Sequence, residues 1–232
     1  MPRPLVAFFA KLPQPGAVKT RLCPPLAPKE AAELYEAFLI DLFDRFGRHR
    51  APYGLGVAFA PAEGREWFEA RAPRDAALFL QRGDTLAARM SHFFEDAFWE
   101  GWGPVVIVGT DLPTLPAKHV DGLVAPLLSS EGAADVTLGL DRGGGYWGLG
   151  LRSLQPSLFE GLTTSHGSVA AWTLARAKES GLRVARAGTW GDVDTLDDLT
   201  DLAAQLDDPA DAASAPRTTA ALVRLGFVHR DQ

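Results

Sequence analysis

Short apolar runs alternate along this chain with longer stretches of helical period. Leu5 to Ala10, Tyr53 to Ala60, Val105 to Thr110, Asp135 to Leu140, Tyr146 to Leu151 and Leu182 to Ala187 have the length and apolar density of buried strands. Between the first two, Lys29 to Phe46 places Ala32, Leu34, Tyr35, Phe38, Leu39, Leu42 and Phe46 on one helical stripe. Thr85 to Trp99 repeats the pattern with Leu86, Met90, Phe93, Phe94 and Ala97. Further helices are expected over Ala117 to Leu128, Ser168 to Ser180 and Leu196 to Leu206. Strands separated by helices predict a layered α/β fold with a mostly parallel sheet.

The segment Asp207 to Pro216, "DDPADAASAP", is small and polar and reads as a linker, with a short helix from Arg217 to Leu225 behind it. The expectation is one domain over 1–206 and a tail over 207–232 that is not a separate domain. No repeat of solenoid period interrupts this plan.

Composition narrows the classes. Hydrophobic residues make up 47% of the chain and charged ones 22%, a balance that supports a buried core. A net charge of -6 argues against a generic nucleic-acid partner, which needs a basic surface. With Cys23 the one cysteine, no intrachain disulfide can form. No apolar run approaches the ~20 residues that span a bilayer, so no membrane partner is expected and the cytoplasm is the expected location.

Candidate chemistry begins with "KLPQPGAVKTRL", residues 11 to 22, which follows the first strand. It is not a P-loop, because Val18 rather than glycine precedes Lys19 and because Pro24 and Pro25 stop a helix from running on. What remains is a basic, restrained loop in which Lys11, Lys19 and Arg21 offer charges to phosphates, or simply face water. Asp111, in "VVIVGTDLPTL", lies just past the carboxyl end of a strand, where open α/β sheets bind ligands and a divalent metal finds its carboxylate. It also suits a turn before Pro113. In "WGDVDTLDDL", Asp192 and Asp194 point the same way if the segment is extended and could face one metal. Against that, Asp194 or Thr195 could cap the next helix, with Asp197 and Asp198 in its first turn. Gly143, Gly144 and Gly145 allow close approach of a ligand, or form a hairpin turn. "TTSHGS", residues 163 to 168, offers hydroxyls and an imidazole, but His166 has no partner for a hydrolase triad. No Gly-x-Gly-x-x-Gly follows the first strand, which disfavours a dinucleotide-dependent oxidoreductase.

Taken in order, "AKLPQPGAVKTRL", "QRGDTLAARM", "VGTDLPTL", "GGYWGLGL" and "DVDTLDDL" resemble the rSAM/selenodomain-associated transferases of the nucleotide-diphospho-sugar transferase (GT-A) superfamily, from about Leu5 to Leu206. The resemblance implies a Rossmann-like three-layer α/β/α sandwich. It also implies a metal-dependent transferase that takes a nucleotide or nucleotide-sugar donor and a small-molecule acceptor, with Mg²⁺ or Mn²⁺ as cofactor. Glycosyl transfer is the leading chemistry; nucleotidyl transfer and a non-catalytic nucleotide-binding relative are the alternatives, and the oligomeric state stays open. Carried over by residue, Lys11, Gly16, Lys19, Thr20 and Arg21 would meet the nucleotide, with Lys19 and Arg21 also serving catalysis. Gln81, Gly83 and Arg89 would lie near it. Asp111 would be the catalytic metal ligand, joined by Asp192 and Asp194. Gly144, Gly145, Tyr146, Ser165 and His166 would face the acceptor. Two departures stand out: the family's Asp-Gly-Gly-Tyr has Gly143 in its first position here, with Asp141 two residues upstream, and its Trp-Ser-Thr is Thr164-Ser165-His166.

Overall fold

The structure is a computed structural model that describes residues 2–163 and 168–228. Its strands are β1 (Leu5–Lys11), β2 (Gly54–Ala60), β3 (Ala77–Leu80), β4 (Val105–Val108), β5 (Val136–Leu140), β6 (Tyr146–Leu151) and β7 (Val184–Ala187). Its helices are α1 (Pro28–Arg48), α2 (Arg65–Arg71), α3 (Leu86–Trp99), α4 (Ala117–Leu128), α5 (Val169–Glu179), α6 (Leu196–Gln205), α7 (Pro209–Ser214) and α8 (Pro216–Arg224). The strands form one sheet in the order β3-β2-β1-β4-β6-β5-β7, in which β6 runs antiparallel to β4 and β5 and every other pairing is parallel.

Alternation along the strands divides the apolar side chains between two cores. Val6, Phe8 and Ala10 of β1, with Val106 and Val108 of β4, pack against α1, α4 and α6. Leu5 and Ala7, with Val105 and Ile107, turn the other way onto α3 and α5. Both faces of the sheet are therefore buried, which is why its central strands read as unbroken apolar runs. The result is the expected three-layer α/β/α sandwich with a mostly parallel sheet.

Three elements differ from the expectation. β3 spans only Ala77–Leu80 at the sheet edge and α2 only Arg65–Arg71, both too short for periodicity to reveal. The supposed linker instead contains α7, whose first turn is capped by Asp208 accepting from Ala210 N and Asp211 N. Pro209 and Pro216 each stand at the start of a helix, where a missing N–H costs nothing, so they begin helices rather than break them. α8 then docks on α1: the buried Asp41 carboxylate accepts from Arg217 N at 3.1 Å and Thr218 N at 2.7 Å.

The carboxyl ends of β1, β4, β5 and β7 and the start of β6 lie along one edge of the sheet. Ligands of open α/β sheets bind at such an edge. Among the described residues no helix is long and apolar enough to cross a membrane.

Candidate active site

Lys19 is the centre of the candidate site. It occupies the left-handed region, with φ 48°, a conformation that a lysine rarely adopts and that occurs here just before the short turn Thr20–Leu22. Its side chain is only 4% exposed. The ammonium pairs with Asp111 Oδ1, meets Asp194 Oδ1 at 3.1 Å and donates to Val193 O at 2.7 Å. Its three protons thus have three partners, two of them more than 170 positions away in the chain. The rings of Tyr35 and Phe38 close over it at 5.9 and 5.8 Å.

The loops carrying these groups are fastened to each other. Val193 N donates to Asp111 O at 2.9 Å, joining the turn after β4 to the loop after β7. The Tyr35 hydroxyl receives the Lys11 amide and meets Thr110 Oγ1 at 2.7 Å, while Thr110 Oγ1 donates to Phe9 O. Burial, then the nearby Asp111, holds the Tyr35 phenol well above its usual range, so it stays a neutral hydrogen-bonding post. Arg45 of α1 donates to Pro113 O, Leu115 O and Ser214 O, bracing the turn beyond Asp111 against α7.

The late acidic segment divides its work among three aspartates, Asp192, Asp194 and Asp198. Thr195, not Asp194, caps α6, and Asp198 completes a capping box by accepting from Thr195 N at 2.7 Å and Asp194 N at 3.1 Å. Burial tends to raise the Asp198 carboxyl, but these bonds outweigh it and hold the group below its usual value. Asp194 is thereby free to face Lys19, with Arg21 Nη1 at 3.7 Å from its other oxygen. Asp192 Oδ1 is buried and has no hydrogen-bond partner among the described residues. Burial, followed by Asp111, Asp141 and Asp194, pushes the Asp192 carboxyl up to about 7, with Lys19 opposing.

Asp141 joins this group through the hairpin between β5 and β6. Its Oδ1 accepts from Gly145 N at 2.8 Å, and a Cβ on Gly145 would overlap Oδ2. A side chain at this position would have to push the Asp141 carboxylate aside. A cavity of about 830 Å³ opens beside the aspartates, with Arg21, Arg142, Asp141, Asp192, Asp194 and Asp201 on its walls.

The structure thus brings together Lys19, Arg21, Asp111, Asp192 and Asp194. Other expected residues lie around this group without joining it. The Lys11 side chain is exposed at the end of β1, and Gly16, at φ 78°, and Thr20 are exposed in the loop. Gln81 donates to Ala10 O and Ala58 O, and Arg89 donates to Gly83 O, so both hold backbone. Tyr146 turns its hydroxyl towards Met90 Sδ, 3.9 Å away. Ser165 and His166 lie outside the described residues. Sequence reasoning placed Tyr35 only on an apolar stripe, and nothing in its spacing signals the hydrogen-bonded post that it forms.

A family model described as "Uncharacterized protein conserved in bacteria (DUF2064)" matches residues 48–166. A crystal structure from Desulfovibrio desulfuricans G20, described as a "putative nucleotide-diphospho-sugar transferase", is 30% identical, with a TM-score of 0.87 over 97% of this chain and 96% of that one. A cytidylyltransferase from Leptospira borgpetersenii is 12% identical, with a TM-score of 0.57 over 100% of this chain and 98% of that one. A CMP:2-keto-3-deoxy-manno-octonic acid synthetase complexed with CTP is also 12% identical, with a TM-score of 0.56 over 88% and 98%. At 12% identity the likeness is one of fold. No curated protein sequence matches the chain. The match over residues 48–166, just over half of the chain, shows that it belongs to the DUF2064 family, on a fold shared with the structures described as a nucleotide-diphospho-sugar transferase and a cytidylyltransferase.

Proposed function

We propose that this chain is a cytoplasmic transferase of the rSAM/selenodomain-associated kind that binds a nucleotide sugar and moves the sugar to a small-molecule acceptor. The observation that carries the reading is the excess of carboxylates at the ligand-binding edge: Asp111 and Asp194 share one enclosed ammonium, Asp192 feels both of them and Asp141, and Asp192 Oδ1 is buried with no hydrogen-bond partner among the described residues. The printed name of the 30% identical relative supports the same donor class.

The donor set suits a hard divalent cation such as Mg²⁺ or Mn²⁺, since it consists of carboxylate oxygens. Asp111, Asp192 and Asp194 would hold it, because Lys19 occupies one oxygen each of Asp111 and Asp194. Among the described residues no three His, Cys, Asp or Glu side chains converge closely enough to hold a metal by themselves. That fits an ion whose coordination is completed by substrate phosphates and water. Such an ion offsets the charge that builds on the departing diphosphate.

The chain's own residues do the rest. Lys19 holds the aspartates in place, its protons being committed to them and to Val193 O. Arg21, with a 69% exposed side chain, and the exposed Lys11 are cations open to donor phosphates. The adjoining cavity has the size of small-molecule sites, which run to ~300–1,000 Å³.

The test is a thermal-shift panel of nucleotide sugars and nucleoside triphosphates, with and without Mn²⁺, on wild type, Asp111→Ala and Lys19→Met. At one hundred times its dissociation constant a ligand adds ~2.7 kcal/mol of stability, a readily visible shift. The expected result is a metal-dependent shift with one nucleotide sugar that both variants lose, and release of a nucleoside diphosphate when an acceptor is supplied. Pyrophosphate release from a triphosphate would replace glycosyl with nucleotidyl transfer. No shift with any nucleotide would overturn the reading.

A further inference from the structure

A second cavity, of about 500 Å³, opens between the start of α3, the start of β6 and the start of α5. Asp141 alone, among the described residues, lines both this cavity and the acidic one. The two differ in chemistry. Charged side chains are prominent on the first, whereas Leu86, Ala87, Tyr146, Leu162 and Val169 form half of the ten residues lining the second, with Asp84, Thr85 and Thr163 beside Asp141. Leu86, the first residue of α3, is 46% exposed there. Tyr146 commits its hydroxyl to the Met90 side, so it offers the cavity its ring. An apolar wall interrupted by a few polar groups is what an amphipathic small molecule covers.

We propose that the second cavity takes the apolar body of the acceptor, an alcohol bearing an alkyl or aryl group, and that Asp141 receives its hydroxyl where the two cavities meet. The inference rests on the transferase reading above. Asp141 is held for this role by its paired bonds with Gly145, accepting at 2.8 Å and donating at 3.2 Å, which leave Oδ2 free of backbone partners. The acceptor O–H proton passes to the Asp141 carboxylate, and the acceptor oxygen forms a bond to C1 of the donor sugar. The bond from C1 to the diphosphate oxygen breaks, and its electron pair leaves with the nucleoside diphosphate.

Binding of butanol, hexanol and octanol, followed by saturation-transfer NMR with glycerol as the polar control, tests the substrate class. Affinity should rise by up to about fourfold per methylene until the cavity is filled. Leu86→Asn should weaken octanol by about tenfold and Leu86→Met should retain it. Affinity that is flat with chain length, or untouched by Leu86→Asn, overturns the inference. For the step itself, nucleoside diphosphate release from UDP-glucose, GDP-mannose and dTDP-glucose is followed with and without octanol. Asp141→Asn should still bind octanol, its amide oxygen accepting from Gly145 N, yet lose the octanol-dependent release. Release that survives in Asp141→Asn overturns the role of Asp141. Alkanols that fail to bind while a nucleotide sugar still raises the melting temperature overturn this inference alone. Octanol that binds while no nucleotide does leaves the cavity's ligand class standing and overturns the donor reading.

Discussion

Replacing Asp192 with asparagine removes a charge that the folded chain accommodates poorly. Burial, then Asp111, Asp141 and Asp194, pushes this carboxyl from 3.8 to about 7. An aspartate in the unfolded chain titrates near ~3.9. Between about pH 4 and pH 7 the folded state therefore keeps a proton that the unfolded state has released, and stability falls as pH rises through that window. About three pH units at ~1.4 kcal/mol each set a ceiling of about 4 kcal/mol. The side chains of Asp111 and Asp194 are 38% and 44% exposed, so water screens part of the repulsion. About 2 kcal/mol is the expected effect after that discount. In a chain of this length it corresponds to roughly 4–8 °C in melting temperature. Asp192→Asn should accordingly melt above wild type at pH 8, with the difference shrinking to nothing near pH 4. Thermal denaturation of both proteins across pH 4 to 8 reads this, because titrating groups that do not interact with Asp192 cancel in the difference. Mn²⁺ at pH 8 should raise the wild type more than the variant, since it relieves the same repulsion. A difference that does not change with pH, or a variant less stable at pH 8, would refute the reasoning.

Asp41→Ala should cost about 3 kcal/mol, because the amides of Arg217 and Thr218 lose their buried acceptor. Urea titration should show a lowered midpoint, and an unchanged midpoint would mean that α8 does not depend on this contact. Gly145→Ala should reduce turnover by roughly 100-fold, since its methyl group displaces the Asp141 carboxylate. Steady-state rates at wild-type level would show that Asp141 need not sit where it does.

The strands and long helices were legible for a physical reason. Buried on both faces, β1, β2 and β4 had to be apolar throughout, and α1 and α3 each had to turn one stripe towards the sheet. β3 and α2 left too few residues to show a period. Pro209 and Pro216 suggested a linker because composition cannot tell a proline that starts a helix from one that ends it. Asp111, Lys19, Asp192 and Asp194 were recognisable from residue type and position after strands, but not their relations to one another. Lys19, expected at phosphates, has its ammonium against Asp111 and Asp194, contacts that no spacing in the sequence signals. Asp192 and Asp194 differ by two positions, yet the Oδ1 of one is buried with no hydrogen-bond partner among the described residues and the other holds an ammonium.

By itself, the sequence determined the α/β layering and the basic loop behind the first strand, because burial and backbone period act locally and leave their trace in residue order. It also placed acidic residues after β4 and β7. Only the tertiary structure decided that Lys19 meets Val193 and Asp194 from the far end of the chain, that Asp192 carries the raised carboxyl, and that Asp141 stands between an acidic cavity and an apolar one. Those properties depend on distance and desolvation between segments that the chain order keeps far apart, and folding alone brings them together.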